Sequence, residues 1–171
     1  MKKLIVEVGI KLNKPFEFYD NMLKEHGLKQ VFSCETKDLY YTKESSFEGF
    51  SEKQIKDSCI RIRNPKITSI KMEKNLIKEG YVKVFETIKK DYHYANENMN
   101  NRIQLQLIDK VGLVVYYDNS KYYNLPLLEQ RKLLINELNL FGFNFKQEDL
   151  GIDKLRTLYY GKEMFSLNQN A

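Results

Sequence analysis

The feature that most restricts this chain is a period of two that keeps returning along it. Leu4 to Leu12 sets Leu4, Val6, Val8 and Ile10 on one side and Ile5, Glu7, Gly9 and Lys11 on the other. Ser58 to Asn64 sets Cys59, Arg61 and Arg63 against Ile60 and Ile62, and Arg102 to Ile108 sets Arg102, Gln104 and Gln106 against Ile103, Leu105 and Leu107. Successive side chains of a strand point to opposite faces, so each stretch predicts a strand with one apolar and one polar face. A chain built this way buries one side of a sheet and needs a use for the other.

The remaining elements follow from local signals. Asn13 and Pro15 start a helix, Phe16, Tyr19, Met22 and Leu23 keep helical spacing, and Gly27 ends it. Val31 to Tyr41 reads as a second strand and Thr42 to Lys56 as a polar surface loop. Ser58 to Asn64 and Ile67 to Glu73 read as a central hairpin turning at Asn64-Pro65, because proline removes a donor and biases the preceding residue away from the helical region. After Gly80 come a strand from Tyr81 to Thr87 and a polar loop from Lys89 to Asn101. A hairpin of Arg102 to Ile108 and Leu113 to Asp118 turns through Asp109-Lys110-Val111-Gly112. Leu127 to Phe141 and Ile152 to Tyr160 predict two C-terminal helices. With no internal repeat and no linker, residues 1–171 read as one α+β domain.

Composition bounds the function. A hydrophobic content of 42% with 30% charged residues is that of a soluble globular protein rather than a disordered one. The apolar N-terminal run is broken by Glu7 and Lys11, and no stretch reaches bilayer length, so a cytoplasmic location without a membrane partner is expected. Cys34 and Cys59 lack the spacing of a zinc or redox site and read as buried free thiols. His26 precedes the helix-ending Gly27 and His93 falls in a polar loop, so neither makes a ligand or general base. The net charge of +5, from 28 basic and 23 acidic residues, is too mild an excess to argue for nucleic acid. A single-strand nucleic-acid binder stacking bases on Tyr40, Tyr41, Tyr116 and Tyr117 is the lesser alternative, since strand tyrosines more often pack in cores.

If helices cover one side of an antiparallel sheet, the polar faces meet water. If the sheet curves or closes, they converge on a lumen, and Lys11, Arg61, Arg63 and Lys71 form a cationic cradle. Guanidinium forks bind phosphate oxygens bidentately and lysine supplies a point charge, so such a cradle suits a polyphosphate. The plainer reading leaves Arg61 and Arg63 paired with Glu73 and Glu86 in exposed salt bridges of little worth.

The order of motifs resembles the CYTH superfamily of triphosphate tunnel enzymes, which includes class IV adenylyl cyclases, thiamine triphosphatases and tripolyphosphatases. Glu7-Val8-Gly9-Ile10-Lys11 is similar to the family's opening Glu-x-Glu-x-Lys, and Asp38-Leu39-Tyr40-Tyr41 to its Asp-x-Tyr-aromatic segment. Ile60-Arg61-Ile62-Arg63 is similar to its Leu-Arg-Ile-Arg strand, Ser69-Ile70-Lys71 to its Thr-x-Lys strand, and Asp118 to the acid that ends a late strand. The resemblance implies an eight-stranded antiparallel β-barrel, a triphosphate tunnel with flanking helices. It implies Mg²⁺ or Mn²⁺ on Glu7, Glu86 and Asp118, phosphate on Lys11, Arg61, Arg63, Lys71 and Arg102, and a catalytic role for Lys11. The partner it implies is a triphosphate-bearing small molecule or inorganic polyphosphate, with a homodimer left open.

The departures from that pattern fall on the acids. Gly9 stands where the second opening Glu belongs, Val82, Val84 and Glu86 leave one acid where alternating acids belong, and Tyr123-Asn124-Leu125-Pro126 carries no acid pair. Gln104 or Leu105 stands where a further basic residue belongs unless Arg102 serves. The cations persist while the metal ligands thin out, which keeps three outcomes open: a metal-dependent triphosphatase, an adenylyl cyclase-like enzyme, and a non-catalytic polyphosphate or nucleotide sensor.

Overall fold

The computed structural model describes residues 7–47, 49–50, 52–64, 67–97, 101–109 and 111–145. In chain order the elements are β1 (Val8–Lys11), α1 (Phe16–Glu25), β2 (Lys29–Thr42), α2 (Glu52–Ser58), β3 (Cys59–Arg63) and α3 (Ile67–Lys78). They continue with β4 (Val82–Ala95), β5 (Asn101–Ile108), β6 (Gly112–Asn119), a 3₁₀ turn (Ser120–Tyr122) and α4 (Leu127–Leu140). The strands form a sheet in the order β1-β6-β5-β4-β2-β3. The α+β class expected from the alternation holds, with six strands rather than eight among the described residues. None of their helices is long and apolar enough to cross a membrane.

The chain divides into two compact units, and β2 and β4 contribute to both. The first unit comprises the described residues of Met1–Cys34 and Lys90–Ile152. Its core is the apolar face of β1, β5 and β6 (Val8, Ile10, Ile103, Leu105, Val115, Tyr117) packed with Tyr19 and Leu23 of α1 and Leu134 and Leu138 of α4. Tyr19 stacks on Phe143 with ring centroids 5.5 Å apart, and Tyr94 donates to Asp20 Oδ1 at 2.7 Å, so α1 is held by aromatic and polar contacts together. The expected β5–β6 hairpin is present, with Gln104 opposite Tyr116, Arg102 opposite Asp118 and Ile108 opposite Gly112, whose φ of 103° supplies the left-handed backbone beside the turn. The helix expected after Asn13 is α1, and Gly27 at φ 76° ends it as predicted.

The second unit comprises the described residues of Glu35–Lys89. Leu39 and Tyr41 of β2 pair with Ile62 and Ile60 of β3 and pack on Leu76 of α3. Burial and hydrogen bonding with Glu73 push the Tyr41 hydroxyl up to about 12, which ties α3 to β2 by a polar bond at the edge of an apolar contact.

Four expectations are corrected. Ile67 to Glu73 is not a returning strand but the first half of α3, so Lys71 is an exposed helix residue. Ile and Thr at the start of this segment suggest a strand, yet Lys71-Met72-Glu73-Lys74 and Leu76 are good helix formers. Asn64 turns the chain out of β3 at φ 47°, with its side chain accepting from the Lys37 amide at 2.9 Å. The loop expected from Lys89 is the second half of β4 as far as Ala95, which places His93 on a strand against Phe32. The loop expected from Thr42 to Lys56 contains the start of α2. Cys34 and Cys59 are free thiols as expected, but half-buried rather than buried. Residues 4–6 of the first expected strand, Pro65 of the expected turn and the expected helix Ile152 to Tyr160 lie outside the described residues.

Candidate functional site

Each unit carries a polar strand face turned away from its apolar core. In the second unit, β2 presents Asp38 and Tyr40 on the face opposite Leu39 and Tyr41, and their ladder partners on β3 are Arg63 and Arg61. Asp38 is fully buried and receives a fork from Arg63, Nε at 2.9 Å and Nη2 at 3.2 Å. The ammonium of Lys89, 1% exposed, donates to the same carboxylate. Burial alone pushes the Asp38 carboxyl up, but the hydrogen bonds from Arg63 and Lys89 outweigh it and hold the group below its ordinary value. Two cations thus converge on one buried anion. Arg61, one pleat along from Arg63, is exposed and has no ion pair with a described residue.

In the first unit, Asp91 is buried on the corresponding polar register of β4. It accepts from Gln104 Nε2 at 2.8 Å, from Gln106 Nε2 and, more weakly, from Cys34 Sγ at 3.8 Å. Tyr116 lies across from Gln104 on one side and Gly9 on the other, and Lys11 across from Val114, so β1, β6 and β5 share this face. Gly9 is not among the glycines with positive φ, so its backbone alone does not demand glycine.

At one end of that face three expected site residues come together. Asp118 is the partner of Arg102, and Glu7 lies one residue beyond Val8, whose partner is Tyr117. Burial pushes the Tyr123 hydroxyl up, the Asp118 carboxylate and then Glu7 add to that, and Arg102 opposes it, so all three charges lie within electrostatic reach of that hydroxyl. Asp118 Oδ1 is buried with no hydrogen-bond partner among the described residues. Two carboxylates on neighbouring strands, one with an orphaned oxygen, fit a hard divalent cation that completes its shell with ligand oxygens. No three His, Cys, Asp or Glu side chains converge as a metal group among the described residues.

Glu86 belongs to the second unit. It occupies the other register of β4 and pairs with Lys37 at 2.6 Å and Lys83 at 3.1 Å, which hold its carboxyl below the ordinary value. Arg63 pairs with Asp38. Tyr41 and Tyr117, expected as stacking platforms in the nucleic-acid alternative, are instead buried in the two cores. Lys89, Asp91 and Tyr123 belong to these polar groups without being singled out as site residues in the sequence. The signal for the first two was the alternation Phe85, Thr87, Lys89, Asp91, which continues past the point where the strand was ended.

No protein-family model matches the chain, and no curated protein is similar to it in sequence. Solved structures are similar in fold. The PH1012 protein of Pyrococcus horikoshii OT3 is 16% identical with a TM-score of 0.60, covering 94% of this chain and 99% of its own. The PH1819 protein of the same organism is 14% identical with a TM-score of 0.60, covering 93% and 99%. A candidate adenylate cyclase from Vibrio parahaemolyticus is 15% identical with a TM-score of 0.55, covering 88% and 94%. These likenesses are of fold alone: the chain shares its fold with these three structures along most of its length.

Proposed function

We propose that this protein binds a triphosphate-bearing ligand, a nucleoside triphosphate, thiamine triphosphate or tripolyphosphate, through cations on its polar strand faces. The observation that supports this best is burial of charge and amide where no apolar core needs them: Asp38, Lys89, Asp91 and Gln106 are each less than a tenth exposed. Burying such groups is unfavourable unless they are paired, so a fold that keeps them has built a polar site. Arg61 on the polar face of the second unit, and Lys11 and Arg102 on that of the first, have no ion pair with a described residue, which leaves their positive charge for phosphate. Arg63 is held by Asp38 in a fixed orientation. The eight-stranded barrel is the arrangement the resemblance implies for these strands and belongs to the same proposal.

Glu7 and Asp118 are the residues that would hold Mg²⁺ or Mn²⁺. Such an ion neutralises phosphate charge and orients an attacking oxygen. Arg102 beside them binds phosphate, and Lys11, the proposed catalytic residue, compensates charge developing on the phosphoryl oxygens. Metal-dependent phosphohydrolysis is the leading activity because it needs no positioning of a ribose hydroxyl. Cyclase-like chemistry on a nucleotide is supported by the adenylate cyclase candidate among the fold neighbours. A sensor without turnover is favoured by one observation, the absence of a carboxylate at Gly9 in the middle of β1.

The test is isothermal titration with tripolyphosphate and ATP, with and without Mn²⁺, followed by phosphate release from the same samples. Binding should weaken roughly ten- to hundredfold in Arg61→Ala, the loss of a charge-assisted hydrogen bond of about 1.5–3 kcal/mol. No binding at low salt, or binding unchanged by Arg61→Ala, overturns the proposal. Metal-dependent release separates an enzyme from a sensor.

A further inference from the structure

The amide of Gln106 has an orientation fixed by chemistry rather than by choice. Its Nε2 donates to Asp91 Oδ1, and Asp91 is 6% exposed. Turning the amide over would set an oxygen against a carboxylate, so the nitrogen stays on Asp91 and Oε1 points away from it. Gln106 is itself 7% exposed, and Oε1 is buried without a hydrogen-bond partner among the described residues. Leaving such an acceptor unsatisfied forfeits its hydration without return. Gln104, which also donates to Asp91, is half-buried, and its oxygen is not a buried unpartnered atom.

The surroundings say what could satisfy it. Asp91 accepts from three donors and Val114, opposite Gln106, is apolar. Next along β6 is Tyr116, whose neighbour on β1 is Gly9, so the position beside that tyrosine has no side chain. Around Gln106 this face carries the apolar Val114 and the aromatic Tyr116, with Lys11 across Val114 on β1, whereas Arg102, Asp118 and Glu7 gather at the other end of the same strands. Phosphate oxygens at neutral pH offer acceptors and cannot satisfy Oε1.

We infer that Gln106 is a specificity-determining residue, its Oε1 accepting a hydrogen bond from an N–H or O–H on the organic part of the ligand. The inference rests on the triphosphate reading and deepens it: the ligand class is an organic triphosphate carrying a hydrogen-bond donor, not inorganic tripolyphosphate. Tyr116 offers the flat surface beside which that organic part lies.

The experiment titrates wild type, Gln106→Met and Gln104→Met with ATP, GTP, CTP, thiamine triphosphate and tripolyphosphate. Both variants remove one donor from Asp91, and only Gln106→Met removes the buried acceptor. Wild type should bind at least one organic triphosphate more tightly than tripolyphosphate. Gln106→Met should weaken that ligand about three- to tenfold, the worth of a neutral hydrogen bond, and leave tripolyphosphate affinity within about twofold. Gln104→Met should not reproduce that selective loss. Equal losses for organic and inorganic ligands in Gln106→Met, or the same pattern in both variants, assign Gln106 to holding Asp91 and overturn the inference. Tripolyphosphate bound as tightly as every organic ligand overturns it too while sparing the triphosphate reading. Binding of none of the five probes overturns both.

Discussion

Replacing Asp38 by Asn tests the buried charge network most directly. The change keeps the size of the side chain and removes its charge. Asp38 is fully buried and Lys89 is 1% exposed, so the lysine ammonium has no water to turn to when its counter-charge is lost. Arg63, which shares the carboxylate at 2.9 and 3.2 Å, then leaves two cations facing one neutral amide. Breaking a buried pair by removing one partner costs about 3–5 kcal/mol, mostly the penalty of the charge left behind. For a chain of this size each kcal/mol lowers Tm by about 2–4 °C, so Asp38→Asn should melt roughly 6–20 °C below wild type at pH 7.

Two controls isolate the cause. Lys89→Met removes the stranded charge, so the double variant Asp38→Asn with Lys89→Met should be more stable than the sum of the two single losses, a coupling a double-mutant cycle reads directly. The pH dependence gives a second check. The folded Asp38 carboxyl lies below its unfolded value of about 3.9, so its contribution is complete above that value and is lost as pH falls through the folded one. The gap between wild type and Asp38→Asn should therefore narrow only below about pH 4. An Asp38→Asn loss under about 1 kcal/mol, or strict additivity with Lys89→Met, would refute the reasoning.

Glu137 of α4 gathers donors from Tyr117 at 2.5 Å, Tyr122 at 2.7 Å, Asn119 at 3.0 Å and Lys121, so Glu137→Gln should cost about 1–3 kcal/mol in urea unfolding at pH 7. Burial pushes the Glu137 carboxyl up, but those hydrogen bonds hold it below its ordinary value. The cost should therefore persist above the unfolded value of about 4.3 and vanish as pH falls through the folded one; a cost equally large at pH 3 contradicts this. Gly9→Glu restores a carboxylate on the β1 face that carries Lys11, and phosphate release from tripolyphosphate with Mn²⁺ should rise at least about tenfold over wild type. Unchanged release in a folded variant that still binds tripolyphosphate would sink the idea that the missing acid limits turnover.

How much of this was legible in the sequence depended on where polarity was placed. Alternation located β1, β3 and the β5–β6 hairpin because their apolar halves meet a core and their polar halves do not. It lost β4 at Thr87, since Lys89 and Asp91 in a row of charged residues resemble a solvated loop. Only the pairing of Lys89 with Asp38, and of Asp91 with two glutamines, makes their burial affordable. Hydropathy records a residue's cost of leaving water and is blind to the partner that offsets it. The same blindness displaced Glu86: the strand was given its acid in the register of Val84, whereas the buried polar register runs through Thr87, Lys89 and Asp91. Arg63 was legible as a cation on the polar face but not as one already held, because its partner Asp38 lies 25 residues away on another strand. Long-range pairing of buried charge is therefore what the local pattern withholds, and it is also what distinguishes Arg61, without an ion pair to a described residue, from Arg63, which holds a buried carboxylate.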